Sequence, residues 1–112
     1  MSIVYLNGEF VPKDEASISV DDRGFLLSDG VYEVTPFYQG VAFCLDHHLV
    51  RLERSLRELG ILFNTEGLTE IHHRLVAENQ LENEVRSLVY LQITRGVAPR
   101  THYFPPEPVP AT

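Results

Sequence analysis

The sequence predicts an α+β domain, an antiparallel sheet of two N-terminal hairpins plus a later central strand, packed with two helices. Three observations point there. Asn7-Gly8 and Gln39-Gly40 each divide two β-rich runs, leucines recur at helical spacing from Leu45 to Leu59, and the run Leu88-Val89-Tyr90-Leu91 is apolar throughout. At 112 residues, 44% of them hydrophobic, the chain is the size of one ordinary domain and can bury roughly two-thirds of its unfolded surface.

Ile3 to Leu6 and Phe10 to Val11 flank Asn7-Gly8, the dipeptide best suited to the positive φ angles of a type I′ turn, so the chain opens with a hairpin. Ser17 to Val20 offers a further short strand. Asp21 to Gly30, DDRGFLLSDG, is bounded by turn formers and reads as an irregular or one-turn helical connector. Val31 to Tyr38 has the β-branched and aromatic content of a strand, and Pro36, which lacks an N–H, implies an edge or bulged position. Gln39-Gly40 then turns the chain into Val41 to Cys44, the second half of another hairpin. Leu45, Leu49, Leu52, Leu56 and Leu59 line one helical face, with Gly60 where a C′ residue belongs.

Thr65 to about Gln80 is the second helix, with Leu68, Ile71, Leu75 and Val76 on its inner side and Glu66 and Glu70 near its positive end. Val85 to Thr94 follows as a strand apolar on both faces, the pattern of a central strand covered on both sides. Residues 1–104 make up the domain. From Phe104 the chain reads FPPEPVPAT, which cannot be helical, so residues 105–112 are expected to be an extended tail, either disordered or the start of a linker.

Composition narrows function before any motif does. The net charge of −7, from 16 acidic and 9 basic residues, works against nucleic acid or an anionic membrane as partner, because phosphate contacts need clustered positive charge. Eight of the nine basic residues are arginines; the one lysine, Lys13, sits in VPKDEAS, a turn or loop. No apolar run approaches the roughly 18 residues of a spanning helix, and MSIVYLNGEF lacks the n- and h-regions of a secretory signal, so a cytoplasmic location is expected. Cys44, the sole cysteine, rules out an intrachain disulfide and is expected to be a buried, inert thiol.

Arg100 and His102 lie two apart in TRGVAPRTHYFP, just beyond the last strand. In extended backbone they share a face, so a guanidinium and an imidazole can close on one small anion such as a carboxylate; a solvated loop with scattered charge is the alternative. Tyr32, at the start of a strand after a Gly-containing turn, is either a phenolic anion donor or an ordinary core tyrosine. His48 and Arg51 are neighbours on the Leu-rich helix near its N-terminus. Arg51 there can meet a phosphate with help from free backbone amides, or pair on the surface with Glu53 or Glu58. The pairs His47-His48 and His72-His73 do not suit a metal, since adjacent helical residues diverge by about 100°. No G-x-G-x-x-G, P-loop or G-x-S-x-G is present.

Taken together, DDRGFLLSDGVYEV at 21–34, the H-x-x-R of His48 and Arg51 followed by LERS, TRGVAPRTHYFP at 94–105 and the opening YLNGEFV resemble the N-terminal domain of the fold-type IV pyridoxal-phosphate enzymes. Within that family they are most similar to the D-amino acid aminotransferase branch, for which TRG followed by R-x-H is the most specific block. The resemblance implies that Arg51 binds the phosphate of pyridoxal 5′-phosphate and that Tyr32, Arg100 and His102 bind the substrate α-carboxylate, the arginine and histidine reaching into a neighbouring subunit of a homodimer. It implies D-alanine and a 2-oxo acid as substrates.

Branched-chain aminotransferase and aminodeoxychorismate lyase share the scaffold, and R-x-H argues against both. A non-catalytic, self-associating module is the reading outside the enzyme class. In the family the Schiff-base lysine, which is also the proton shuttle, and the acid that pairs with the pyridine nitrogen belong to a second domain with no counterpart in these 112 residues. Lys13 occupies a part of the domain that the family does not use for catalysis, so this chain alone is expected to be inactive.

Overall fold

A computed structural model describes residues 1–112. The opening hairpin forms as expected. β1 (Ile3–Leu6) and β2 (Glu9–Pro12) pair in antiparallel register around Asn7 and Gly8, both at positive φ. Lys13–Glu15 adds a short 3-10 turn. Ser17 to Val20, by contrast, forms no strand. The Asp22 amide donates to the Ser19 carbonyl and the Asp21 amide to Ser19 Oγ, so local turn bonds satisfy a segment with no neighbour to pair with.

The connector is one helical turn, α1 (Arg23–Leu27), capped by the Asp22 carboxylate, which accepts from the Gly24 amide, and closed by Ser28 in the left-handed region. β3 (Gly30–Tyr38) follows, then the Gln39-Gly40 turn and a β4 of only two residues (Val41–Ala42). Cys44 lies outside the strand at φ 56° and is exposed, which corrects the expectation of a buried thiol: the backbone has already turned away from the sheet to start the helix.

α2 (Leu45–Leu59) is the Leu-faced helix, and Gly60, left-handed at φ 68°, ends it by donating to the Arg57 and Leu56 carbonyls. α3 runs Leu68–Glu78, shorter than Thr65 to Gln80, because Gly67 at φ 81° sets its start. Leu52, Leu56, Ile61, Leu68 and Ile93 form one buried cluster, and Phe37, Val76 and Val89 form another. Each such side chain contributes about 1.5–3 kcal/mol by leaving water.

In the main sheet the strand order is β4-β3-β5, with β5 spanning Ser87–Thr94. The long strand β3 therefore holds the middle and β5 the edge, the reverse of what their sequences suggest. Pro36 is tolerated in the middle strand because its carbonyl accepts from Phe43 on the β4 side; its missing N–H faces the same side, beyond the end of β4, and no bond to β5 is lost.

Register pairs Glu33 with Leu91, Thr35 with Val89 and Val31 with Ile93 on the face turned to the helices, while Tyr32 opposes Gln92 and Val34 opposes Tyr90 on the other. That second face is open: Tyr32, Tyr38, Leu88 and Tyr90 are all exposed. The apolar pattern of β5 on both sides is real, but only one side is covered within this chain. The proline-rich tail is extended and not free. It returns along β5, where Thr94 and Thr112 exchange backbone hydrogen bonds of 2.9 and 3.4 Å and Ala111 packs on the larger core cluster. A Cβ on Gly96 would overlap the Pro110 carbonyl oxygen, so the closeness of this return requires glycine.

Candidate functional site

Strand parity places Glu33 on the helix-facing side of β3, where it is 5% exposed. A lone carboxylate there would be costly to ionise. Three donors from α2 offset that cost: Arg51 Nε at 2.9 Å, Arg51 Nη2 at 2.8 Å and His48 Nδ1 at 2.7 Å. The arginine bonds lead burial in the balance and the histidine adds to them, so the Glu33 carboxyl is held below the usual range, while Glu33 in turn raises Arg51.

Arg51 thus pairs neither with Glu53 nor with Glu58; Glu53 accepts from Thr65 and Glu58 from Arg54. Nor do the free amides of α2 lie beside it. The His48 amide already bonds Cys44, and Arg51 stands six residues, about 9 Å, beyond the helix start. Its inner edge is fixed on Glu33, yet the side chain stays 67% exposed, and Nη1 has no protein partner. That fits a phosphate: a guanidinium locked by one fork, with its outer N–H groups free.

Asp29, immediately before β3, organises a second cluster. Its carboxylate accepts from Arg23 Nε at 2.7 Å, Arg95 Nε at 2.7 Å and Arg95 Nη2 at 3.2 Å. Burial alone would raise its pKa, but the Arg95 and Arg23 bonds together outweigh that and hold it low. Arg23 is 2% exposed, an uncommon place for a guanidinium, and its Nη1 donates onward to the Thr101 carbonyl at 2.9 Å. Arg95 reaches the carbonyls of Leu59 and Gly60 at the end of α2 and lies 3.8 Å over the Phe104 ring.

Arg100 and His102 lie on the loop that these contacts flank. Both are exposed and enter none of the ion pairs. Tyr32, 64% exposed on the open face, stacks on Tyr90 with ring centroids 5.8 Å apart, and its hydroxyl has no partner within the chain. It is therefore not a core tyrosine. The adjacent histidines separate as helical geometry requires. His48 joins Glu33, while His72 is buried against the Leu68 carbonyl, its Nδ1 at 2.7 Å, and burial lowers its pKa.

A cleft of about 1280 Å³ between the opening hairpin, α3 and β5 includes none of Tyr32, Arg51, Arg100 and His102. Its lining is mainly apolar, and it follows the outer edge of β5, where the tail pairs only at Thr94. Size alone would make it the default ligand site, but the convergent polar groups lie elsewhere.

Glu33, Asp29, Arg23 and Arg95 are the polar residues that sequence reasoning missed. A signal is present in the sequence for some of them: alternation along Val31, Glu33, Thr35 and Phe37 puts an acid on the covered face, and DDRG and TRG each carry an arginine next to a tight turn.

An opening two-stranded hairpin, followed by a separate three-stranded antiparallel sheet with two helices on one face, matches the N-terminal part of solved fold-type IV aminotransferases. A branched-chain amino acid aminotransferase from T.th., solved with N-(5′-phosphopyridoxyl)-L-glutamate, aligns over 86% of this chain and 33% of its own with a TM-score of 0.75 at 25% identity. The 4-amino-4-deoxychorismate lyase of Pseudomonas aeruginosa aligns over 86% of this chain and 34% of its own with a TM-score of 0.67 at 32% identity.

The chain belongs to the amino-transferase class IV family, whose model matches residues 30–112. Among curated relatives, D-alanine aminotransferase of Staphylococcus epidermidis is 43% identical over 97% of this chain and 38% of its own length. The Staphylococcus aureus enzyme of the same name is 45% identical over 99% and 39%. The chain thus spans about two-fifths of the length of these relatives.

Proposed function

We propose that this chain is the N-terminal part of a cytoplasmic, homodimeric aminotransferase that moves an amino group from a D-amino acid, D-alanine first among them, to a 2-oxo acid. Arg51 holds the phosphate of pyridoxal 5′-phosphate, and Arg100, His102 and Tyr32 hold the substrate α-carboxylate, with Arg100 and His102 serving the neighbouring subunit. When bound, the cofactor supplies an electron sink for the amino acid's α-carbon. The chain's own residues do the positioning.

Glu33 fixes Arg51 from the inner side, so the phosphate contact is set before binding. Arg100 and His102 fix the side on which the carboxylate lies, and with the nitrogen fixed this determines which face presents the α-hydrogen. Lys13, exposed in the 3-10 turn after β2, does not join either cluster; the α-proton is handled by a lysine outside these 112 residues, and the chain alone is inactive. The observation that carries this reading is the state of Arg100 and His102: exposed and uncommitted, on a loop anchored on both flanks.

The branched-chain aminotransferase and lyase readings draw on the solved neighbours, at 25% and 32% identity. The D-alanine aminotransferases, at 43–45% over nearly the whole chain, outweigh them. Assaying the protein that contains this chain, with pyridoxal 5′-phosphate and 2-oxoglutarate, separates the two: D-alanine is turned over and L-leucine is not. Turnover of L-leucine alone would refute the proposal.

A further inference from the structure

The two arginines bound to Asp29 do more than neutralise it. Arg23 donates to Asp29 through Nε and to the Thr101 carbonyl through Nη1; Arg95 donates to the same carboxylate through Nε and Nη2 and covers the Phe104 ring. Thr101 lies between Arg100 and His102, and Phe104 lies two residues beyond His102. The backbone adds two more ties near the loop's origin, Arg23 N–H to the Gly96 carbonyl and Arg95 N–H to the Asp29 carbonyl.

A loop that leaves a strand end and carries exposed side chains normally loses order within a few residues. This one is held beyond its turn by side chains that converge on one buried carboxylate, and the anchors sit beside Arg100 and His102. We infer that Asp29 is a positioning residue for the carboxylate-binding pair, acting through Arg23 on Thr101 and through Arg95 on Phe104. This rests on the reading of Arg100 and His102 as the carboxylate contact. Two arginines on one acid suit the task because a guanidinium fork can serve the acid on one edge and the loop on another, which a lysine ammonium cannot do with fixed geometry. The expected signature is weaker substrate capture with the chemistry little altered, since the pair binds a group that does not react.

The test is a double-mutant cycle in the protein that contains this chain, loaded with pyridoxal 5′-phosphate and assayed with D-alanine. Asp29→Asn keeps the shape and removes the charge. It is expected to raise KM for D-alanine about tenfold, with kcat changed less than about threefold and affinity for pyridoxal 5′-phosphate unchanged. In an Arg100→Ala background the same substitution is expected to add less than about twofold, because the group being positioned is gone.

If Arg100→Ala raises KM and Asp29→Asn does not, or if the two effects multiply independently, the positioning role is overturned and the carboxylate reading stands. If Arg100→Ala leaves KM unchanged, both fall. Should Asp29→Asn fail to fold, Phe104→Leu decides. Phe104 is exposed, so its replacement spares the core. A rise in KM of about threefold that vanishes in the Arg100→Ala background supports the inference, and an unchanged KM overturns it.

Discussion

Replacing Glu33 by Gln isolates the contribution of the carboxylate that holds Arg51. The amide is nearly isosteric, so packing against α2 is retained, but one of the two acceptor oxygens becomes an NH2 group pointed at donors. Glu33 is 5% exposed and accepts three hydrogen bonds of 2.7–2.9 Å. Weakening a set of charge-assisted bonds to a buried group costs about 1–3 kcal/mol. The low end is favoured here because Arg51 is largely exposed and regains water when released.

The pH dependence gives an independent check. The folded-state pKa of Glu33 is lowered from 4.5, so its contribution is present above that value and is lost as pH falls through the folded value. Urea unfolding should therefore show Glu33→Gln less stable at pH 7, with the gap to the unmodified protein narrowing on the acid side of pH 4.5. A difference under about 0.5 kcal/mol at pH 7, or a gap that does not narrow, would refute the view that the ion pair is structural.

Three further outcomes are expected. Gly24→Ala should destabilise by about 1–3 kcal/mol in thermal unfolding, because the added Cβ overlaps Thr94 Cγ2 and stands 2.8 Å from Thr94 Cβ; adding Thr94→Ser, which removes that methyl, should recover part of the loss. The folded-state pKa of His72 is lowered from 6.5, chiefly by burial, so its contribution to stability should be complete above pH 6.5 and decline as pH falls from 6.5 toward the folded value; His72→Leu should flatten that slope in a stability–pH series. Cys44, being exposed, should react with a thiol reagent without denaturant, whereas protection until unfolding would show it to be covered.

What is legible in the sequence is local. Asn7-Gly8 marks the opening hairpin because few other dipeptides accept two positive φ angles, and the leucine spacing marks α2 because only a helix brings those five residues to one side. The strand expected at Ser17–Val20 fails for the complementary reason: β-branched content says nothing about whether a neighbour is available, and Ser19 offers its own turn bonds. For β5 the apolar character of both faces implies cover on both faces and a central place in the sheet, yet nothing in this chain covers Leu88 and Tyr90.

The proposed site is legible by side-chain type and hidden by partner. Arg100, His102, Tyr32 and Arg51 stand out as donors, but Glu33 meets Arg51 across 18 residues and Asp29 meets Arg95 across 66. No periodicity encodes such meetings. Even so, eight arginines against one lysine is what a chain needs when five of its cations must make directional bonds to carboxylates; Arg23, Arg51, Arg54, Arg74 and Arg95 all do so.

Proton exchange at the amino acid's α-carbon puts the proposed stereochemistry to a single test. Supplied with pyridoxal 5′-phosphate in heavy water, the protein that contains this chain should wash the α-proton from D-alanine and leave that of L-alanine in place, as followed by proton NMR. Exchange from L-alanine with D-alanine untouched would contradict the assignment of Arg100, His102 and Tyr32 to the carboxylate of a D-amino acid.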